Sequence, residues 1–65
     1  MFEHNYYAAG LSQGDVFKTS GADKILTVDY ADSSYDGHMN YVHCTDGVTR
    51  ELPSFRQVIL VRKGA

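Results

Sequence analysis

From Gly14 to Arg62 the sequence alternates between short apolar runs and clusters of turn-forming residues. Short runs rich in β-branched and aromatic side chains, bounded by Gly, Pro, Asp or Ser, are typical of β-strands. Five segments have this character and are predicted to be strands: 15–19, 24–31, 38–44, 48–52 and 58–62. The hydrophobic pattern therefore predicts an all-β fold.

The connections between these segments carry turn chemistry. Asp36-Gly37 ends a polar loop over 32–37, and Asp46-Gly47 makes a tight hairpin connection. Pro53 ends the fourth strand because it has no N–H for the ladder. The segment 54–57 is long enough only for a single 3₁₀ turn before the last strand, with Ser54 able to cap it. Because an open sheet would expose a VILV edge strand, we predict that the five strands close into a small barrel over residues 14–65.

Residues 1–13 are the least patterned part of the chain and are predicted to form an N-terminal arm, either one helical turn or an extended segment. The arm contains Phe2, Tyr6, Tyr7 and Leu11. Exposed aromatic side chains usually cover a surface, so we expect the arm to be ordered against the barrel rather than disordered.

Strand alternation assigns a face to each residue of the predicted strands, because neighbours in a strand point to opposite sides. In the segment 38–44, Val42 and Cys44 are predicted to point inward with Asn40. Met39, Tyr41 and His43 are then predicted to point outward. In the segment 24–31, alternation places Leu26, Val28 and Tyr30 on one face, and Ile25, Thr27 and Asp29 on the other.

Composition limits the compartment and the class of partner. The chain has 65 residues, a formal net charge of −2 and one cysteine, Cys44. A single cysteine forms no intramolecular disulfide and is typical of a reducing compartment, so we expect a cytoplasmic protein. The first residues do not resemble a signal peptide, and no apolar run approaches the ~20 residues that span a bilayer. Acidic residues dominate the middle of the chain, whereas basic residues gather in the last third.

The segments 14–18 (GDVFK), 20–21 (SG) and 26–28 (LTV) resemble the GDVV-K-SGG-P-MTV opening of small uncharacterised bacterial and phage proteins with an SH3-like or Tudor-like barrel. The segment 42–44 (VHC), the Asp46-Gly47 turn, the segment 50–53 (RELP) and the apolar last strand are similar to the ending of that group. The start at 14–16 also resembles the entry to KOW-type domains of transcription and ribosome proteins. The Trp-Phe pair common in the third strand of that group is absent here. The resemblance covers about residues 14–62 and implies a five-stranded SH3-like barrel that binds other molecules and is not an enzyme.

The histidines and the cysteine of the predicted strand do not converge on one reaction centre, because their side chains point to different faces. His43 and Cys44 point to opposite faces, and His38 and His43 also diverge, whereas a zinc site needs three or four converging ligands. A Cys-His nucleophile pair fails for the same reason. We therefore predict no catalytic residues, no metal and no cofactor, and we interpret the acidic side chains of the 32–37 loop as solvated.

Binding to another protein is the predicted function. The candidate residues are the outward side chains of 38–44, a hairpin neighbour and a loop tyrosine: Met39, Tyr41, His43, Glu51 and Tyr35. Tyrosine and methionine are favoured at protein interfaces. The alternative is that the N-terminal arm covers this surface through Phe2, Tyr6 or Tyr7. The partner is predicted to be a larger protein, for example host transcription machinery regulated by a phage-encoded chain. The chain is expected to be a monomer or a weak homodimer, with edge addition at the last strand as one route.

A second hypothesis is nucleic-acid binding by the basic C-terminal third. Small barrels combine aromatic side chains with basic grooves. The residues that would do so here are Arg50, Phe55, Arg56, Arg62 and Lys63. The net negative charge argues against this hypothesis, and Arg50 is also positioned to pair with Asp29 or Asp46.

Overall fold

The computed structural model describes residues 4–19, 21 and 23–64. Phe2 and the turn residue Ser20, both used above, lie outside the described residues. The described part contains six strands and one 3₁₀ helix. In chain order these elements are β1 His4–Tyr7, the 3₁₀ helix Ala8–Gly10, β2 Val16–Thr19, β3 Leu26–Ser33, β4 Met39–Cys44, β5 Thr49–Pro53 and β6 Gln57–Arg62.

All six strands belong to one antiparallel sheet in the order β1-β6-β2-β3-β4-β5. The prediction of an all-β fold is confirmed, and the five predicted strands correspond to β2–β6. Closure into a barrel is not seen in the strand pairing, because the order ends at β1 on one side and β5 on the other. Within the described ranges, no helix is long and apolar enough to cross a membrane.

The last strand lies inside the sheet and not at its edge. β6 pairs with β1 along one side and with β2 along the other. The segment predicted as an N-terminal arm supplies β1 and the 3₁₀ helix, and Ala8 and Leu11 of this segment are buried in the core. Edge addition at the last strand is therefore wrong as a route to a homodimer, since both sides of β6 are occupied.

The core lies on one face of the sheet and contains buried residues of β2, β3, β4, β5 and β6. Phe17, Val28, Val42, Val58 and Leu60 are almost completely buried. Burying a side chain of this size contributes about 1.5–3 kcal/mol, so this cluster supplies most of the driving force for folding.

A buried carboxylate joins the chain before β2 to the chain after β6. Asp15 has no exposed surface. It accepts hydrogen bonds from the Ser12 N–H at 2.9 Å, the Gly64 N–H at 2.7 Å and Lys63 Nζ at 3.1 Å. Gly64 passes so close to Gln13 and Gly14 that a Cβ there would lie 2.5 Å from the Gln13 carbonyl oxygen. The segment after β6 is thus held against the start of β2.

The chain between β5 and β6 makes a single turn closed by a hydrogen bond between residues three apart, which is the bond of the predicted 3₁₀ turn, and it does not extend into a 3₁₀ helix. The Arg56 N–H donates to the Pro53 carbonyl at 2.9 Å, and the 3₁₀ helix of the described chain is Ala8–Gly10. The side chain of Ser54 is buried and does not cap this turn. Its Oγ accepts a hydrogen bond from Asn40 Nδ2 at 2.7 Å and donates to the Gly37 carbonyl. The β3–β4 loop and the β5–β6 turn are therefore fixed to each other at one end of the sheet.

Candidate functional site

The side chains of β4 alternate as the sequence predicts. Asn40, Val42 and Cys44 are buried, while Met39, Tyr41 and His43 keep part of their surface in solvent. Cys44 packs in the hydrophobic core, and burial raises the pKa of its thiol. The polar richness of the segment 38–44 thus divides between two faces of one strand.

A β-bulge moves Tyr30 to the same outward side. The β3–β4 register shifts between Val28 and Tyr30, so Tyr30 lies opposite His43, and Ala31 takes the inward position opposite Val42. A bulge adds one residue to one strand and reverses the alternation beyond it. The prediction that Tyr30 shares the face of Leu26 and Val28 is therefore wrong, and Tyr30 is 49% exposed.

Tyr30 stacks on His43 across the two strands. Their ring centroids are 4.0 Å apart, and the ring planes differ by 14°. Aromatic pairs of this kind contribute about 0.5–1.5 kcal/mol beyond the area they bury. The stack gives the outward side of the sheet an ordered aromatic surface, and sequence analysis missed it because strict alternation places Tyr30 in the core.

The imidazole of His43 is held on both sides. Its Nδ1 lies 2.8 Å from Thr49 Oγ1 on β5, and its Nε2 lies 3.5 Å from Asp32 Oδ2 on β3. With the proton on Nε2, the ring donates toward Asp32 and accepts from the Thr49 hydroxyl. The sequence pattern placed Asp32 in the polar loop 32–37. This placement is wrong for Asp32, because β3 extends to Ser33 and Asp32 belongs to the sheet.

Tyr41 lies between two acidic side chains in the sheet register. Its Cα partner on β3 is Asp32, and its Cα partner on β5 is Glu51. Cross-strand partners have their Cβ atoms about 4.5–5.5 Å apart, so Asp32 and Glu51 are the neighbours of Tyr41 on the two adjacent strands. We call the surface formed by these outward side chains the outer face; it consists of Tyr30, Asp32, Met39, Tyr41, His43 and Glu51.

The strands that carry the outer face are acidic. Asp29, Asp32 and Glu51 are exposed, and Arg50 is the one Lys or Arg in β3, β4 and β5. Arg50 alternates with Leu52 and lies opposite Val42, which places it on the other side of β5. The outer face therefore presents aromatic rings among negative charges.

Arg50 forms an ion pair with Asp46, which is one of the two pairings that the sequence analysis predicted. Its Nη1 and Nη2 lie 3.3 and 3.2 Å from Oδ1 and Oδ2 of Asp46. Lys24 Nζ also approaches Asp46 Oδ2 at 3.3 Å. The hydrogen bonds from Arg50, with the Val48 N–H, lower the pKa of Asp46 to about 2. This bidentate pair closes the β4–β5 hairpin.

Tyr35 lies apart from the outer face. It projects from the loop between β3 and β4 and is fully exposed. Asp36 orders this loop by accepting hydrogen bonds from Ser34 Oγ at 2.6 Å and from the His38 N–H at 3.1 Å, and these bonds lower its pKa. Phe55, 83% exposed, lies at the same end of the sheet because Ser54 ties the two loops together.

The basic residues predicted for nucleic-acid binding are scattered. Arg56 and Arg62 flank β6 at opposite ends, about 20 Å apart for an extended chain. Lys63 donates to the buried Asp15 and to Tyr6 Oη at 3.1 Å. With Arg50 bound to Asp46, the five residues Arg50, Phe55, Arg56, Arg62 and Lys63 do not form one groove.

The described part of the N-terminal segment does not lie on the outer face. β1 is paired along β6, and β6, β2 and β3 separate it from β4 in the sheet. Tyr6 packs against the core and under the Lys63 ammonium, while Tyr7 is exposed. The alternative that this segment covers Tyr41 and His43 through Tyr6 or Tyr7 is therefore wrong, and Phe2 lies outside the described residues.

Among residues 4–19, 21 and 23–64, no three His, Cys, Asp or Glu side chains are grouped so that they could hold a metal ion. The outer face is thus a surface of rings, hydroxyls and carboxylates ordered by cross-strand contacts. No protein-family model, no curated protein and no solved structure matches this chain.

Proposed function

We propose that this protein is a non-catalytic binding module that recognises another protein through the outer face. The observation that carries the proposal is the Tyr30–His43 stack, fixed by Thr49 and Asp32 beside the partly buried Tyr41. Residues that dominate binding energy at interfaces are often tyrosines in ordered surroundings. Because these rings are already held in place, little side-chain entropy remains to be lost when a partner binds.

The proposal includes the closed SH3-like architecture. The Ala8 N–H donates to the Arg56 carbonyl at 2.9 Å, and the Ala9 N–H donates to the Ser54 carbonyl at 3.2 Å. These bonds bring the chain after β1 to the end of β5, which is the opposite edge of the sheet. Such contacts support a barrel closed through the 3₁₀ helix and not through a strand pair.

We further propose that the partner is a larger assembly in the cytoplasm, regulated by occupation of one of its surfaces, with transcription machinery as the leading class. The similarity of the segment 14–16 to the entry of KOW-type domains supports this choice, as does the similarity to small phage proteins. A phage-encoded modulator of a host protein is consistent with a chain of 65 residues.

Affinity capture from bacterial lysate tests the outer face. The baits are the wild-type chain, Tyr41→Ala and the matched control Tyr7→Ala, which removes an exposed tyrosine from β1. We expect one partner to be retained by wild type and Tyr7→Ala and to fall at least about tenfold with Tyr41→Ala, as for a residue that dominates an interface. Equal recovery by all three baits contradicts the proposal.

Nucleic-acid binding by the basic residues has less support, because Arg50 and Lys63 are engaged and Arg56 and Arg62 are distant. Gel shifts with single-stranded DNA at about 50 and 200 mM salt distinguish it, since phosphate contacts weaken steeply with salt. We expect no shift at the lower concentration. A salt-sensitive shift that Arg56→Gln abolishes would favour this second function.

A further inference from the structure

β5 is one edge of the sheet, and part of its backbone is free to pair. The Cys44 N–H donates to the Val48 carbonyl at 3.1 Å, and the Ser54 N–H donates to the His38 carbonyl at 2.9 Å. These two bonds fix which residues of β5 bond to β4, because hydrogen-bonded and non-hydrogen-bonded pairs alternate. The backbone groups of Arg50 and Leu52 turn toward β4, whereas those of Thr49 and Glu51 turn away from the sheet.

The two ends of this edge differ. At the Ser54 end, the Ala9 N–H already occupies the Ser54 carbonyl, and the Pro53 carbonyl accepts from Arg56. At the hairpin end, Thr49 and Glu51 are exposed, and among the strands of the described residues none lies beyond β5 in the sheet order. The free backbone groups are therefore those of one residue on each side of Arg50, namely Thr49 and Glu51. A stretch of this length suits a short extended segment.

The free edge borders the acidic part of the outer face. Glu51 is on the edge strand, and Tyr41 with Asp32 follow on the next two strands in the same register row. An added strand would run about 4.8 Å from β5, with alternate side chains on the side of the outer face. A long basic side chain at that position meets the Glu51 carboxylate first and the Tyr41 ring beyond it, and both attract a cation.

We propose that the β5 edge at Thr49–Glu51 binds an extended, arginine- or lysine-rich segment of the partner as an additional strand. This inference rests on the proposed function and adds the chemistry and conformation of the bound segment. Main-chain hydrogen bonds to Thr49 and Glu51 provide the pairing, and the acidic and aromatic row Glu51-Tyr41-Asp32 selects basic side chains. A second copy of this chain fits the edge less well, because its own β5 presents Thr49, Glu51 and Pro53 on the side of the outer face and no basic side chain.

The test is an NMR titration of the full chain with a synthetic peptide that alternates arginine and valine. We expect the peptide to shift the amide signals of Thr49, Glu51 and Tyr41, and to bind at least about tenfold more weakly at 500 than at 50 mM salt. The same peptide with glutamate for arginine should not bind. Methylation of alternate peptide nitrogens, which removes strand-pairing donors, should weaken binding at least about tenfold in only one of the two registers.

Two charge reversals locate the site. Glu51→Lys should weaken the arginine peptide about tenfold, whereas the control Asp23→Lys, which reverses an exposed acid on the β2–β3 connection, should change affinity less than about twofold. Equal effects of the two reversals, equal binding of the glutamate peptide, or shifts confined to β1 each overturn the proposal. Concentration-dependent shifts of Thr49 and Glu51 without peptide overturn it in favour of a second copy.

The outcomes separate this inference from the proposed function. If Tyr41→Ala loses the lysate partner but the arginine peptide does not bind, the basic-strand inference fails and the outer face stands. If the peptide binds at Thr49 and Glu51 but capture is unchanged by Tyr41→Ala, the outer face is not the interface for that partner, and the edge alone remains.

Discussion

At the scale of single residues, Asp15 is the most constrained polar group of the described chain. Burial by itself raises the pKa of Asp15, but the hydrogen bonds from Gly64, Ser12 and Lys63 outweigh it and leave the pKa below its ordinary value. A carboxylate whose pKa is lowered by folding stabilises the folded state above its unfolded pKa of about 3.9, and this contribution is lost as the pH falls through the folded value. Asp15 is therefore expected to be ionised at neutral pH and to hold the segment after β6 against the start of β2.

Replacing Asp15 by Asn should lower the free energy of unfolding at pH 7 by about 1–3 kcal/mol, because an amide NH₂ then faces the donors of Gly64 or Ser12. The difference between Asp15→Asn and wild type should shrink as the pH falls below about 4, because the unfolded carboxyl protonates there and the folded carboxyl protonates only at lower pH. Urea unfolding from pH 7 to pH 2 measures both effects. The control is Asp23→Asn, which replaces an exposed acid and should reproduce neither effect. A decrease in the free energy of unfolding that stays constant with pH would contradict stabilisation by the ionised Asp15.

At the scale of elements, the strands that alternate strictly were the ones that the sequence predicted well. β4 alternates without interruption, so its inward and outward residues could be assigned from the pattern alone. β3 does not alternate strictly, because it contains the bulge. Its inward residues are Leu26, Val28 and Ala31, so the spacing changes from two residues to three after Val28. β1 was missed because the sequence His4–Tyr7 lacks an apolar alternation and is ordered by pairing with the distant β6. Bulges and long-range pairing depend on tertiary structure, which a local pattern does not contain.

The β4–β5 hairpin gives an element-scale prediction. Arg50 holds the pKa of Asp46 at about 2, so Asp46 stabilises the ionised hairpin above pH 4 and loses this role as the pH falls toward 2. In Arg50→Gln, the pKa of Asp46 should rise toward the usual Asp value of about 3.9. A carboxyl-detected NMR titration of Asp46 measures the shift, with Arg62→Gln as the control that removes a cation from β6. An unchanged midpoint in Arg50→Gln would mean that the Val48 N–H and Lys24 hold the carboxylate without Arg50.

At the scale of the whole molecule, the ends of the chain determine how the sheet is assembled. β6 is an inner strand because β1 pairs along one of its sides, and the segment after β6 is fixed to Asp15. The outer face, carried by β3, β4 and β5, lies at the other end of the sheet order. β1 pairs with β6 and not with β5, so contacts at Thr49 and Glu51 of β5 leave the pairing of β1 and β6 intact.

This arrangement predicts that a chain beginning at Gly14 will not fold stably, although the strand pattern from Gly14 onward looks self-sufficient. Removing residues 1–13 deletes Ala8 and Leu11 from the core and exposes one side of β6. Loss of one buried leucine side chain costs about 2–5 kcal/mol, and a chain of 65 residues has roughly 3–10 kcal/mol in total. Urea unfolding and the dispersion of amide NMR signals compare the truncated chain with the full chain, and Leu11→Ala should fall between them. A truncated chain with dispersed signals and an unchanged unfolding midpoint would show that the segment 14–65 is an independent domain and that β1 does not contribute to its stability.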